Sequence, residues 1–165
     1  MKLNTLIKTT ALSAVVAASF GAALNVQAAD ETFQATIKLL QPITITEVAS
    51  LRFPEQIAGS AATVLVRPED SGAAVFDATG EAERAVTASV LEASIEMITD
   101  DGIGAQKRIT VDQFVMGGSV SPVGGGEFDA AGTLNNIRVG GTANVNADNI
   151  PGDYVGTATF RLVYA

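Results

Sequence analysis

The side chains able to do chemistry in this chain are oxygen donors: it carries 18 aspartates and glutamates, with no histidine and no cysteine. That removes the commonest general base and metal ligand, together with every Ser-His or Cys-His nucleophile arrangement. Thiolate zinc sites and haem sites with His or Cys ligands go with them. Tryptophan is absent too. Asn144, Asn146 and Asp148 stand at alternate positions, as at the start of a calcium loop. The sixth and twelfth positions of such a loop call for Gly and a bidentate acid, and here they hold Asn149 and Val155. An Asn-rich turn before a strand is the plainer reading, and Asp100-Asp101-Gly102 likewise reads as a solvated acidic turn. Gly117-Gly118 and Gly124-Gly125-Gly126 are followed by no Gly-Lys-Ser or Gly-Lys-Thr, so they are not phosphate cradles. Lys107-Arg108 is the only adjacent basic pair, too little for a nucleic-acid footprint. No carboxylate pair is singled out for acid–base work. The expectation is a protein that is not an enzyme, with no catalytic residue, metal or cofactor.

The elements that would position any site begin after a leader. Lys2 and Lys8 flank the start of the apolar, Ala-rich run Ala11–Leu24, and Val26-Gln27-Ala28 offers a signal peptidase cleavage before Ala29. The run is short and Ala-rich for a bilayer span, and no second long apolar stretch follows. The 165 residues less this 28-residue signal peptide leave 137, enough for a single domain, 29–165, with a real core. Losing two lysines takes the net charge from −8 to −10, a surface that repels nucleic acid and anionic lipid heads. The protein is expected to be secreted through the periplasm, with neither membrane insertion nor nucleic-acid binding.

Period-2 patterning dominates the mature chain. Phe33, Ala35, Ile37 and Leu39 alternate with Gln34, Thr36 and Lys38, and the same phase returns at Ile43 and Ile45 beyond Pro42. Leu51 and Phe53 follow, stopped by Pro54. Further strands are expected at Ala62–Arg67, around Ala74-Val75-Phe76, and at Lys107–Met116 with Ile109, Val111 and Val115 in one phase. Arg84–Leu91 and Ser94–Thr99 read as two strands, although Val90, Leu91, Ile95 and Ile98 also fit helical spacing. Gly117–Gly126 reads as loop, followed by strands near Gly126–Ala130 and Asn136–Val139. Gly140-Gly141 is expected to separate the latter from Thr142–Val145. The closing strand places Tyr154, Gly156, Ala158, Phe160, Leu162 and Tyr164 on one face. Phenylalanines fall about one to a strand, as core fillers do. Short strands every 8–12 residues with turn signals between them describe an all-β sandwich.

A sandwich with long, regular terminal strands has edges to manage. Such an edge can pair with another copy when an N-terminal extension completes a neighbour's sheet. On periodicity alone, the favoured reading is that both terminal strands sit in their own sheet and the protein is a monomer.

Order and spacing of several short motifs add a family resemblance. Leu51-Arg52-Phe53, Phe76-Asp77-Ala78-Thr79-Gly80, Ile137-Arg138-Val139-Gly140-Gly141 and Gly152-Asp153-Tyr154-Val155-Gly156 resemble the L-x-F, F-x-x-x-G, V-G-G and G-x-Y-x-G elements of the family called domain of unknown function 4402. Pro54 stands where that family more usually has Gly. The resemblance runs from about Thr36 to Tyr164. It implies an immunoglobulin-like, pilin-like β-sandwich and a surface fibre subunit or extracellular matrix protein, with no catalytic or metal-binding residue to carry over.

The leading expectation is therefore a structural subunit of a cell-surface filament, a fimbria or pilus. Its subunits would join by donation of residues 29–41, with Phe33, Ala35, Ile37 and Leu39 entering a groove of the next subunit. Its partners would be other copies of itself in a homopolymer, with a periplasmic chaperone and an outer-membrane usher assisting. The alternative expectation is a monomeric surface or periplasmic module for glycan or matrix, recognising its ligand through loops such as Gly117–Gly126.

Overall fold

A computed structural model describes residues 30–165; the expected leader lies outside them. The chain divides into two units, Met1–Ile37 and Lys38–Ala165. In the first, described residues 30–37 form no strand. In the second, no strand begins before Thr44. The strand expected over Phe33–Leu39 is thus not formed within the chain. A strand exists only as part of a ladder, and among the described residues none pairs with this segment as one.

Lys38–Ala165 is built from nine strands and one 3₁₀ turn, Ala105–Lys107. The strands are β1 (Thr44–Ala49), β2 (Ala62–Val66), β3 (Ala74–Thr79), β4 (Ala85–Val90), β5 (Ser94–Ile98), β6 (Arg108–Gly118), β7 (Gly125–Glu127), β8 (Thr133–Val145) and β9 (Phe160–Tyr164). All pairings are antiparallel. The larger sheet runs β1-β3-β8-β6-β5, with β2 also on β8, and the smaller runs β7-β4-β9. This is the all-β sandwich that the period-2 pattern predicts. Among the described residues no helix is long and apolar enough to cross a membrane.

The main core lies between the sheets. Val86, Ala88 and Leu162 of the smaller sheet and Phe128 just beyond β7 meet Leu134, Ile137 and Val139 of β8. A second cluster packs Val64, Ile109, Val111 and Ala143, with Phe53 and Tyr154 against it. Alternation along β2 and β4 delivers this burial directly: Val64 and Val66, then Val86 and Ala88, point inward while their neighbours do not.

Arg84–Thr99 holds the two expected strands, β4 and β5, and no helix. Several other expectations are corrected. Gly140-Gly141 does not interrupt β8, which runs unbroken for 13 residues. The chain leaving β2 crosses Gly140, where an added Cβ would strike the Val66 carbonyl and Pro68. That glycine admits a close backbone approach rather than a turn. Loop is confined to the residues between Gly118 and Gly125, since β6 and β7 take up both ends of the Gly-rich stretch. β7 stops at Glu127, short of Phe128. Val115 faces solvent rather than joining Ile109 and Val111, because Gln113 at φ 51° makes a bulge that reverses the phase and turns Met116 inward. Leu51 and Phe53 lie in a loop, half-buried. The closing strand is β9 alone. Tyr154–Thr159 leads into it, bridged to the larger sheet at Ile98–Val155, so Gly156 and Ala158 stay exposed.

Candidate functional site

The larger sheet has six strands and the smaller has three. Cover for the inner face of the larger sheet therefore runs out beyond β9. There the structure has a groove of about 580 Å³. One wall comes from β1 and the loop after it, through Ile45, Glu47, Ser50, Leu51 and Phe53. Gly156–Phe160 and Val90 form the other wall, and Phe76, Ile95, Met97, Val111, Phe114 and Val139 make the floor. Glu47 is its only charged lining residue among the described ones, and that carboxylate accepts a 2.6 Å bond from the Ser50 hydroxyl. A stacked pair, Phe76 on Phe160 at 4.4 Å and 8°, closes the groove toward the main core.

β1 flanks this groove as the end strand of its sheet. Its hydrogen bonds go to β3 alone, and every residue of it is exposed, Val48 at 59%. One edge of the strand consequently presents unpaired backbone groups.

A polar cluster fixes the entry to β1. The Tyr164 hydroxyl donates to the Gln41 carbonyl at 2.6 Å and accepts the Glu81 N–H at 2.7 Å. The Glu81 carboxylate pairs with Lys38 at 2.8 Å and accepts the Gln41 N–H at 3.3 Å. The Lys38 ammonium, and after it the Gln41 N–H, hold the Glu81 carboxyl below the ordinary carboxylate range. Across the groove, Glu92 takes both the N–H and the hydroxyl of Thr159, at 2.7 and 2.8 Å. These bonds, the backbone one first, lower its pKa as well. Glu81 thus anchors the lead into β1, and Glu92 anchors the opposite wall.

Of the four residues expected to join subunits, Phe33 and Ile37 are exposed at 90% and 87%. Leu39, at the head of the second unit, is exposed at 83%, and Ala35 is exposed too. None belongs to a strand. The Asn-rich segment forms a hydrogen-bonded turn. Asn149 is buried, accepts the Asn146 N–H at 2.7 Å, and donates to the carbonyls of Gln106 and Arg108 at 3.2 and 2.9 Å. It ties the turn after β8 to the chain before β6. Among the described residues no group of three or more His, Cys, Asp or Glu is placed to hold a metal ion. The roles of Glu81, Glu92 and Asn149 are not legible in the sequence. An acid directly after Thr79-Gly80 carries no signal that Gln41, 40 residues upstream, bonds to it.

The profile of the family described as Domain of unknown function (DUF4402) matches residues 43–164. The chain belongs to that family. Comparisons with curated proteins and with solved structures gave no match. Family motifs noted in the sequence occupy structural positions. Phe76 makes the stack on Phe160, and an added Cβ at Gly80 would lie 2.6 Å from the Phe128 ring and 2.7 Å from the Tyr164 hydroxyl. Gly80 is therefore the space in which Phe128 and Tyr164 meet edge to face, at 6.1 Å. The match begins at Ile43, so Phe33–Leu39 lies before the shared domain.

Proposed function

We propose that this protein is a structural subunit of a secreted cell-surface filament, its subunits joined by donation of the N-terminal segment to a neighbour. One observation carries the reading: Phe33, Ile37 and Leu39 alternate as a strand's buried face does, yet they are 83–90% exposed and in no strand of their own chain. Burial of each large side chain of this set would contribute about 1.5–3 kcal/mol, and the backbone would gain a ladder besides. The resemblance to pilin-like sandwiches and the sequence of a cleavable leader support the same reading. Release from the cell through the periplasm, with a chaperone and usher handling the exposed segment, belongs to this proposal.

Negative-stain microscopy of secreted material tests it. The full chain is expected to form filaments, and deletion of residues 29–41 to abolish them. Full-length chain that stays monomeric at high concentration, with the amides of residues 33–39 protected from hydrogen exchange, would overturn the reading. In that case the segment pairs within its own molecule.

A further inference from the structure

We infer that the groove between β1 and Gly156–Phe160 is the seat for residues Phe33–Leu39 of a second copy, which adds a strand to the free edge of β1. This rests on the filament reading and names the surface that receives the donated segment. Three properties of the pair fit. The backbone of β1 is bonded on one side only, so its other side offers a ladder to an incoming strand. Behind that edge the groove is walled by Ile45, Leu51 and Phe160, and the inward phase of the segment, Phe33, Ala35, Ile37 and Leu39, is uncharged. Its other phase, Gln34, Thr36 and Lys38, is polar and suits the solvent face of an edge strand. Lengths also agree, since six residues of β1 and seven of the segment each extend about 20 Å at roughly 3.3 Å per residue.

Donor and seat are different surfaces, so the contact is heterologous. It propagates into a fibre unless two copies exchange segments and close as a dimer. That difference separates the two proposals experimentally.

The natural chain has no cysteine, so a single introduced thiol reports cleanly. Full-length Ile37→Cys and Ile45→Cys chains are mixed, oxidised and mapped by mass spectrometry, with Val123→Cys, on an exposed loop, as the control partner. The expected 37–45 link exceeds the 37–123 link by about tenfold or more, because a disulfide needs Cα atoms within about 7 Å. A complementation assay is independent of thiols. The Ile37→Asp, Leu39→Asp double variant cannot donate, and Ala158→Trp fills the groove and cannot accept. Each alone should stay monomeric, and their mixture should give a one-to-one dimer that grows no further. Should the Trp variant misfold, the link at 37–45 decides alone.

Filaments without that link would overturn the seat and leave the filament reading standing. Linked closed dimers without filaments would do the reverse. No association at any concentration sinks both. Purified chain that carries an apolar small molecule in the groove, and is not linked at 37–45 after its removal, would also overturn the seat.

Discussion

The two ends of the sandwich are built to different standards. Under β4, β7 and β9 the core is closed: Ile137 is 0% and Phe128 1% exposed, and Tyr164 meets Phe128 edge to face. Under β1 the same larger sheet is open, with Ile45 at 37% exposure and a groove where the smaller sheet has no strand. The boundary is the Phe76–Phe160 stack. One sheet with two degrees of cover shows that the openness is a matter of strand count rather than of weak sequence. Ile45, Leu51 and Phe53 are as apolar as the residues of the closed end, and what they lack is something opposite them.

Truncation is the strongest way to break this comparison. Phe128→Ala is expected to cost about 3–5 kcal/mol, as for an aromatic removed from a filled core. Leu51→Ala, half-buried on the groove wall, should cost only about 1 kcal/mol in the isolated chain. Urea denaturation of both variants checks it, and equal losses would mean that the groove is as well packed as the core.

Tyr164→Phe sharpens the comparison at the seam. It keeps the ring on Phe128 and removes the bonds to Gln41 and Glu81, an expected loss of about 1–3 kcal/mol. Hydrogen exchange should quicken most at the Glu81 amide, while the amides of β8 keep their protection. Loss of protection throughout β8 would show that the hydroxyl supports the closed end as well.

The smallest effect is expected from acid. The pKa of Glu92, which holds Thr159 of the groove wall, is lowered by the bonds from Thr159, and that of Asp129 at the closed end is lowered by Thr133, whose hydroxyl and N–H both donate to it. A folded-state pKa below the unfolded one gives stability that is complete above the ordinary value. It is lost as the pH falls through the folded value. For Glu92 the loss should therefore begin below pH 4.5 and extend beneath it. Melting temperatures followed downward from neutrality should fall less steeply in Glu92→Gln and in Asp129→Asn than in the parent. Exchange at the Thr159 amide should respond to the first variant and exchange at Thr133 to the second. An unchanged acid slope in both would show that neither carboxylate contributes.

Much of this architecture is legible in the residues. β2, β4, β5 and β9 follow from alternation, since each has one face on the core and one toward water. The path of β8 through Gly140 is not legible, because a glycine that makes room for a crossing chain looks like one that makes a turn. Nor is the phase reversal in β6, which depends on the single left-handed residue Gln113, an amino acid with no marked taste for that conformation. At the candidate site the pattern of Phe33–Leu39 is plain, whereas the absence of a ladder for it among the described residues is not. The groove itself could not be read, because it arises from the difference in strand number between two sheets. Its walls come from segments more than 100 residues apart, Ile45 and Phe160 among them.

β8 bonds to β2 and β3 on one side and to β6 on the other, and β2 has no other neighbour. In a chain emerging from its N-terminus, residues 62–66 must therefore wait for residues 141–145 before they can pair. The larger sheet can be completed only after most of the polypeptide has been synthesised. Contacts so distant in sequence form slowly, and a nascent molecule of this kind leaves its larger sheet unfinished for most of its making.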